Sequence, residues 1–184
     1  MMASFRLGVV ADTHVPDRCR ALHPGLVPAL QQAELEQILH AGDISVPRVL
    51  RALEAVAPVV AVRGNRDWFP HADLPLHRVL EFAGKRIGFT HGHAGLWPYL
   101  GDKINLVLRG PRNFDHYARR AIAALPEDVD AVVFGHNHAP MNRVIDGKLV
   151  FNPGSACRNV VKDMGPSFGV LELGAEVRGE IIYL

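Results

Sequence analysis

Apolar positions along this chain follow two spacings, and their order predicts an alternation of strands and helices. Short apolar runs typical of buried strands cover residues 5–11, 36–40 and 58–62. Between them, apolar residues recur at helical spacing after Pro24 and again after Ser45, which we expect to cap the second helix. A strand–helix–strand–helix–strand order favours a parallel sheet with right-handed crossovers.

The second half of the chain predicts hairpins and two more helices. Two pairs of strand patterns are separated by turn signals, and the Asp146-Gly147 signal is typical of a type I′ turn. These paired strands are predicted at 77–82 with 85–90 and at 143–145 with 149–151. Helices are predicted at 97–108 and 114–125, and further strands at 131–134, 168–173 and 180–183. We therefore expect a mixed α/β chain with a parallel first half and an antiparallel tail.

Length and composition change this picture mainly by exclusion. A chain of 184 residues with 48% hydrophobic and 21% charged residues can bury one domain and is too apolar to be disordered. We expect residues 1–184 to form a single domain with a helical insertion at about 96–128. The net charge of +1 gives no attraction to long nucleic acids or anionic membranes, and no apolar run is long enough to span a bilayer.

The cysteine content bears on the cellular compartment. Cys19 and Cys157 are the only cysteines, too few for the disulfide framework of a small secreted domain. The first apolar run meets Asp12 and His14 before the hydrophobic region of a signal peptide could be complete. We therefore predict a cytoplasmic protein with no membrane partner, and whether it forms a homo-oligomer stays open.

Polar clusters rich in Asp, His, Asn and Gly follow six of the predicted strands. They are Asp12-Thr13-His14, Gly42-Asp43, Gly64-Asn65-Arg66-Asp67, His91-Gly92-His93, Gly135-His136-Asn137-His138 and Asn152-Pro153-Gly154-Ser155. Each cluster alone is typical of an ordinary turn. Open α/β sheets, however, bind ligands beyond the carboxyl ends of their strands. The joint order of the clusters therefore predicts one site at a single edge.

Many side chains of these clusters are metal ligands. Residues two apart in extended backbone point the same way, so Asp12 and His14 can bind one ion from one side. His136 and His138 can do the same or can straddle two ions. The seven candidate ligands are Asp12, His14, Asp43, Asn65, His91, His136 and His138. Seven ligands are too many for one ion and suit two ions about 3.5–4 Å apart, the arrangement used for in-line phosphoryl displacement.

Together these motifs, which span residues 12–155, resemble those of the calcineurin-like metallophosphoesterase superfamily. The blocks of that family are D-x-H, G-D, G-N-[HD], a later G-H or H-G, and G-H-x-H. The short chain and the run from His40 to Ile44 are similar to its small single-domain phosphodiesterase branch in bacteria and archaea. The resemblance implies an α/β fold, a four-layer α/β/β/α sandwich of two mixed sheets faced by helices.

The resemblance also implies which residues hold each ion. One ion would take Asp12, His14, Asp43 and His138, and the other would take Asp43, Asn65, His91 and His136, so that Asp43 bridges. Mixed nitrogen and oxygen ligands suit Mn²⁺, which we expect, or Fe, Zn²⁺, Co²⁺ or Ni²⁺, rather than Mg²⁺ or Ca²⁺ alone. Asp67 is expected to hold its loop or a neighbouring imidazole.

One position departs from the family pattern and changes the expected catalytic set. Many members have His where this chain has Arg66, and that His is the supposed proton donor to the leaving group. Arg66 cannot donate a proton, because a guanidinium stays charged up to about pH 12. It could instead clamp phosphoryl oxygens, and His93 could supply the proton. The candidate catalytic residues are therefore Asn65, Arg66, His93 and His136.

The resemblance implies a dinuclear metal-dependent phosphoesterase. We expect a phosphodiesterase acting on a small or nucleotide-like phosphoester by direct attack of a metal-bridging hydroxide. Two alternatives stay open, a phosphomonoesterase and a non-catalytic metal-binding scaffold for protein partners, like the retromer subunit of the same branch. A long nucleic acid is not the expected substrate, because the chain is almost neutral.

Overall fold

The structure, a computed structural model, describes residues 5–69, 71–93, 115–161 and 163–184. Its helices and strands are, in chain order, β1 Phe5–Val10, α1 Leu26–Gln32, β2 Gln37–His40, α2 Pro47–Glu54, β3 Val59–Ala61, β4 His77–Phe82, β5 Lys85–Thr90, α3 Asp115–Ala123, β6 Ala131–Val133, β7 Met141–Ile145, β8 Lys148–Asn152, β9 Ser167–Leu173 and β10 Val177–Tyr183. Among these described residues, no helix has the length and apolar character needed to cross a bilayer.

Two five-stranded mixed sheets form the framework. The first has the order β10-β9-β1-β2-β3, in which β1, β2 and β3 are parallel and β9 runs antiparallel to β1. The second has the order β4-β5-β6-β8-β7, in which β5, β6 and β8 are parallel between antiparallel edge strands. Each sheet therefore presents the carboxyl ends of three parallel strands along one edge.

Three hydrophobic clusters separate the layers. Successive residues of β1 point to opposite faces, so Leu7 packs between the sheets with Phe89 of β5, whereas Val10 faces the first two helices. Leu30 of α1 belongs to the cluster on that outer face. Ala118 of α3 packs on the outer face of the second sheet. The order helix, sheet, sheet, helix confirms the expected four-layer sandwich.

The predicted strands and both hairpins are confirmed, with ends that differ by at most about three residues. Asp146 and Gly147 have φ values of 50° and 76°, as a type I′ turn requires. The expectation for Ser45 is wrong, because the residue before α2 is Val46 and no side chain caps the helix. Ser45 instead has a φ of 72°, and its N–H donates to the Asp67 carboxylate.

The expected antiparallel tail is only part of the second half of the chain. Strands β5, β6 and β8 are parallel, since α3 and the β7 hairpin carry the chain back before each following strand. The predicted helix at 114–125 is found as α3, Asp115–Ala123. The helix predicted at 97–108, and with it most of the expected insertion at 96–128, lies outside the described residues.

The two cysteines are joined by a disulfide bond, which the sequence does not predict. Cys19 lies in the segment after β1 and Cys157 in the segment after β8, with their Cα atoms 6.1 Å apart although 138 residues separate them. Two cysteines allow only one pairing, but they carry no spacing pattern, so the sequence does not show that they come together in the fold.

Candidate metal centre

Loops that follow the parallel strands of both sheets meet at one edge of the sandwich. The ends of β1, β2 and β3 contribute residues from the first sheet, and the ends of β5 and β6 contribute residues from the second. The residues that meet there are Asp12, His14, Asp43, Asn65, His91, His136 and His138. The loops also bond directly, since Asp12 N donates to Gly42 O at 3.0 Å. The structure therefore brings together all seven predicted ligands.

The backbone of these loops is left-handed rather than extended. Five of the seven residues have positive φ, namely Asp12 (54°), His14 (47°), Asp43 (57°), His136 (74°) and His138 (53°). Such backbone is unfavourable for residues other than glycine, and it gathers at functional sites where the surrounding structure holds it. Asp12 and His14 thus meet through turn geometry, which corrects the expectation that an extended segment points them the same way.

The first cluster of ligand atoms consists of Asp12, His14 and His138, all of them buried. The Nε2 atoms of His14 and His138 lie 3.0 Å apart, and they lie 3.6 and 3.2 Å from Asp12 Oδ1. Within the described part of the chain, no hydrogen-bond donor is aligned with that oxygen. Two imidazole nitrogens and a buried oxygen that face one another suit a cation between them.

The second cluster surrounds His91. Its Nε2 lies 3.4 Å from Asp43 Oδ1 and 3.1 Å from Asn65 Oδ1. His136 Nδ1 lies 3.0 Å from the same amide oxygen. His136 therefore belongs to this cluster and His138 to the first one, so the two histidines straddle the site rather than bind from one side.

Two carboxylates connect the clusters. The oxygens of Asp43 diverge, with Oδ2 3.5 Å from His14 Nε2 and Oδ1 3.4 Å from His91 Nε2, as a bridging ligand requires. Asp12 Oδ1 also reaches both clusters, at 3.6 Å from His14 Nε2 and 4.0 Å from His91 Nε2. The family pattern assigns the bridge to Asp43 and does not indicate this second shared carboxylate.

Asp67 holds the loop that carries Asp43. It is 2% exposed, and its Oδ1 accepts the backbone N–H groups of Ile44 and Ser45 at 2.9 and 2.8 Å. Its Oδ2 accepts those of Asp43 and Gly64 at 2.9 and 2.8 Å. The sequence left open whether Asp67 holds a loop or an imidazole, and these four bonds favour the loop.

Glycines allow the loops to pack this closely. A side-chain carbon on Gly64 would overlap the backbone and the carboxylate of Asp43. A side-chain carbon on Gly42 would lie 2.7 Å from His91 Nδ1, and the φ of Gly42 is 90°. Both positions therefore favour glycine because a ligand residue lies where its side chain would be.

The carboxylates and two of the histidines perturb one another's pKa. Burial alone would raise the pKa of Asp12 and Asp43, but neighbouring histidines lower it, to about 2 for Asp43 and well below the usual range for Asp12. Burial alone would lower the pKa of His91 and His138, yet the carboxylates raise it, to about 9 for His91. The carboxylates are therefore held in their charged form beside a protonated His91.

Two further histidines at this edge, His93 and His136, are neutral at pH 7. Burial, together with the neighbouring His91, lowers the pKa of His136 to about 3 and that of His93 to about 4. The His93 ring centre lies 5.4 Å from that of His91 and 6.4 Å from that of His136. His93 is thus beside the clusters rather than in them.

Arg66 lies at the rim of the site. Its backbone N–H donates to Asp43 Oδ1 at 2.8 Å, while its half-exposed guanidinium pairs with Asp17 at 3.3 Å. Asp17 also lies 3.4 Å from His14 Nδ1. The arginine is therefore close to both clusters, and an ion pair orients it.

Two further contacts at this site are not predicted by the sequence. The ring of Tyr117 on α3 lies 5.5 Å from that of His136 in an edge-on arrangement, although its helical spacing indicated only core packing. Ser155 Oγ donates to the carbonyl of Asp12 at 2.8 Å and so fixes the loop after β1. The Asn-Pro-Gly-Ser cluster at the end of β8 was the signal for the second contact.

These motifs and this fold match one known family along most of the chain. Residues 5–176 match the model of a family described as "Calcineurin-like phosphoesterase superfamily domain". The chain belongs to the calcineurin-like phosphoesterase superfamily. A protein of Methanothermobacter thermautotrophicus named "Probable metallophosphoesterase" is 34% identical over 177 residues, which cover 96% of this chain and 91% of that protein.

Solved structures of Vps29 share the fold of this chain. A single mutant of Vps29 from Entamoeba histolytica superposes with a TM-score of 0.70 at 24% identity, covering 98% of this chain and 99% of that one. Wild-type Vps29 of the same organism, in complex with Zn²⁺, gives a TM-score of 0.66 at 23% identity over 97% and 99% of the two chains. At such low identity the likeness bears on the fold alone.

The clustered residues of this chain fit the divalent metals of the family. Two groups of buried ligand atoms, each within 4.8 Å of one another, are formed by Asp12, His14 and His138 and by Asp12, Asp43 and His91. Carboxylate oxygens and imidazole nitrogens together suit first-row transition metals. Among the described residues, the buried Oδ1 of Asp12 faces imidazole nitrogens without an aligned hydrogen-bond donor, and an ion would satisfy it.

Proposed function

We propose that this protein is a dinuclear metal-dependent phosphodiesterase acting on small or nucleotide-like phosphoesters. The observation that carries the proposal is the position of Asp43, whose two oxygens face His14 on one side and His91 on the other. Two ions held about 3.5–4 Å apart serve in-line displacement at phosphorus. Mn²⁺ is the ion that we expect, with Fe, Zn²⁺, Co²⁺ or Ni²⁺ able to replace it.

The seven clustered residues would hold the ions. Asp12, His14, Asp43 and His138 would bind one, and Asp43, Asn65, His91 and His136 the other. When bound, the ions would activate a water molecule and neutralise charge on the phosphoryl group.

The same side chains handle protons when the site is loaded. The pKa of about 9 means that His91 must release a proton to bind a metal, because only a neutral imidazole is a ligand, and the raised pKa of His138 favours the protonated form in the same way. His136 is already neutral and loses no proton. Asn65 turns its oxygen to His91 and His136, which leaves its NH₂ group to donate to a phosphoryl oxygen.

The leaving group receives little help with its proton. Arg66 stays charged and can attract a phosphoryl oxygen, but it cannot act as an acid. The pKa of about 4 makes His93 neutral near pH 7, and a neutral imidazole is a poor proton donor. We therefore propose that activity depends strongly on the acidity of the leaving alcohol.

The choice of a nucleotide-like or aryl ester is supported by two exposed aromatic side chains. Trp68 and Phe69 follow Asp67 directly and are 81% and 90% exposed. Large apolar side chains exposed side by side often mark a binding surface. They come two to four residues after Asn65 and Arg66 and offer an apolar surface to a base or an aryl group.

The test is a hydrolysis screen of a bis-aryl phosphate against the matching mono-aryl phosphate, with each divalent metal in turn. We expect turnover with Mn²⁺ and preference for the diester. Asp43→Asn and His91→Ala should abolish it without unfolding the chain, whereas the exposed controls Asp73→Asn and His77→Ala should match wild type. Faster hydrolysis of the monoester would replace the diesterase assignment by a phosphomonoesterase.

A second candidate function, a metal-binding scaffold for protein partners, is favoured by the likeness to Vps29. The Zn²⁺ complex of one Vps29 shows that the fold can carry a metal. Turnover by wild type that never exceeds that of Asp43→Asn on any phosphoester would support this scaffold. A cytoplasmic location stays a prediction.

A further inference from the structure

The disulfide bond between Cys19 and Cys157 lies directly beside the candidate metal centre. Cys19 is five residues after His14, and Cys157 is two residues after Ser155, which anchors the Asp12 loop. Both cysteines are half-buried, so small thiols can reach the bond. The bond is therefore close to the loops that carry the candidate ligands and is accessible to thiol–disulfide exchange.

The Cys19 side of the bond is tied to His14. The backbone N–H groups of Arg18 and Cys19 both donate to the His14 carbonyl, at 3.0 and 3.2 Å. His14 N in turn donates to Asp43 O at 3.1 Å. A displacement of Cys19 is thus transmitted to a ligand of the first cluster through two short backbone contacts.

The Cys157 side is tied to His138. Ser155 Oγ accepts the N–H groups of Cys157 and Arg158 at 3.1 and 2.9 Å. The carbonyl of Arg158 lies 2.9 Å from His138 Nδ1, and Val160 N donates to His138 O at 3.0 Å. The orientation of the His138 ring therefore depends on the backbone that follows Cys157.

The bond closes a ring that contains both imidazoles of the first cluster. Cys19 leads to His14 and Cys157 leads through Arg158 to His138, and the two Nε2 atoms are 3.0 Å apart. In contrast, no described contact ties His91 or Asn65 of the second cluster to either cysteine. The covalent link therefore acts most directly on the two imidazoles of the first cluster.

We propose that the Cys19–Cys157 bond is a redox-sensitive link that holds His14 and His138 at the spacing the first metal ion needs. The inference rests on the proposed function only in requiring that these residues bind a metal. A dithiol reductant would attack one sulfur, form a mixed disulfide, and then close its own ring as both cysteines leave as thiols. Reduction would loosen both loops and weaken binding of this ion.

The predicted cytoplasmic location would give such a link a regulatory role. Disulfides are rare in the cytosol, and those that occur there are mostly transient, catalytic or redox-sensing. A bond between two half-buried cysteines next to ligand loops is of the partly exposed kind that is open to thiol exchange. An oxidised, metal-competent form and a reduced, weakly binding form would follow from one exchange reaction.

The test is a calorimetric titration of Mn²⁺ into oxidised wild type and into wild type reduced by a dithiol that is then removed, with free thiols counted in both. Reduction should weaken binding of one ion about tenfold or more, the range for losing groups that orient a ligand. Cys19→Ser/Cys157→Ser should behave as the reduced form and should not respond to the reductant. Circular dichroism checks the fold of each sample.

Two further results separate this inference from the proposed function. In His14→Ala the first cluster is already broken, so reduction should leave the affinity for the remaining ion unchanged; a loss as large as that in wild type would contradict a specific link. Equal affinities of oxidised and reduced wild type would overturn the inference and leave the proposed function standing. No Mn²⁺ binding by oxidised wild type would contradict both. Should the serine pair fail to fold, Cys19→Ala/Cys157→Val is measured in its place.

Discussion

The two sheets contribute different chemistry to the site. Every carboxylate and amide oxygen comes from loops of the first sheet, on Asp12, Asp43 and Asn65. The second sheet contributes only imidazoles, and the first adds a single one, His14. The candidate metal centre therefore lies where the sheets meet, and neither sheet alone offers the complete set of candidate ligands.

The two sheets also fix their ligands differently. On the first sheet, Asp67 fixes the backbone around Asp43 with four N–H groups. On the second, single carbonyls orient the rings, since His91 Nδ1 lies 2.7 Å from Ala41 O and His138 Nδ1 2.9 Å from Arg158 O. In both rings this leaves Nε2 for the site. The Asp43 carboxylate is therefore held by a firmly fixed loop, whereas the Nδ1 side of the His91 and His138 rings is oriented by one carbonyl each.

Removing an oxygen ligand that faces both clusters should have the largest effect. Asp43→Asn removes the negative charge that lies between His14 and His91, so we expect metal affinity to fall by more than about a hundredfold, the upper range for groups that only orient ligands. Calorimetry and elemental analysis measure the loss. Asp73→Asn, an exposed carboxylate, is the matched control and should bind like wild type.

Weakening the support of the first sheet should act on stability. In Asp67→Asn one oxygen becomes an NH₂ group, and two buried backbone N–H groups lose their acceptor, which should cost about 3 kcal/mol of unfolding free energy. Urea unfolding of the metal-free protein checks this. A loss below that of a surface substitution would show that Asp67 does not hold the loop.

His40 sharpens the comparison, because it is a first-sheet histidine that faces no ligand carboxylate directly. Burial lowers its pKa from 6.5 to about 4. Between pH 4 and pH 6.5 the unfolded chain binds a proton at His40 that the folded chain does not bind. The contribution of the neutral His40 to the unfolding free energy is therefore fully present above pH 6.5 and is lost as the pH falls toward 4. From about pH 7 to pH 5 this amounts to about 2 kcal/mol.

The measurement for His40 is urea unfolding of chelated wild type and His40→Gln at both pH values. Only the difference between the two proteins reports on His40, since other groups titrate in both. Equal pH dependence in the two proteins would contradict a neutral buried His40.

Arg66 should give the smallest effect. Its ion pair with Asp17 is half-exposed, so Arg66→Ala should change the unfolding free energy by less than about 1 kcal/mol. Hydrolysis should slow by about tenfold, less than the loss of a buried oxyanion donor. A plot of log rate against leaving-group pKa for wild type and Arg66→Ala measures the loss of rate and the dependence on the leaving group. A shallow slope in wild type would indicate that a proton donor exists.

Much of the fold, and the residues that gather at the site, could be predicted from the sequence, because apolar spacing and strand-end motifs are local signals. The sequence predicted the paired strands around Asp146-Gly147 and the seven clustered residues. It could not predict the left-handed backbone at Asp12 or His138, since only tertiary contacts make that conformation tolerable. The Cys19–Cys157 bond and the approach of Tyr117 to His136 also depend on how distant segments meet.

Anomalous diffraction from Mn²⁺-loaded crystals tests the central claim most directly. The account predicts two ions about 3.5–4 Å apart, with Asp43 between them, His14 and His138 on one and His91 and His136 on the other. A single ion after full loading, or two ions with Asp43 turned away from both, would contradict the dinuclear centre.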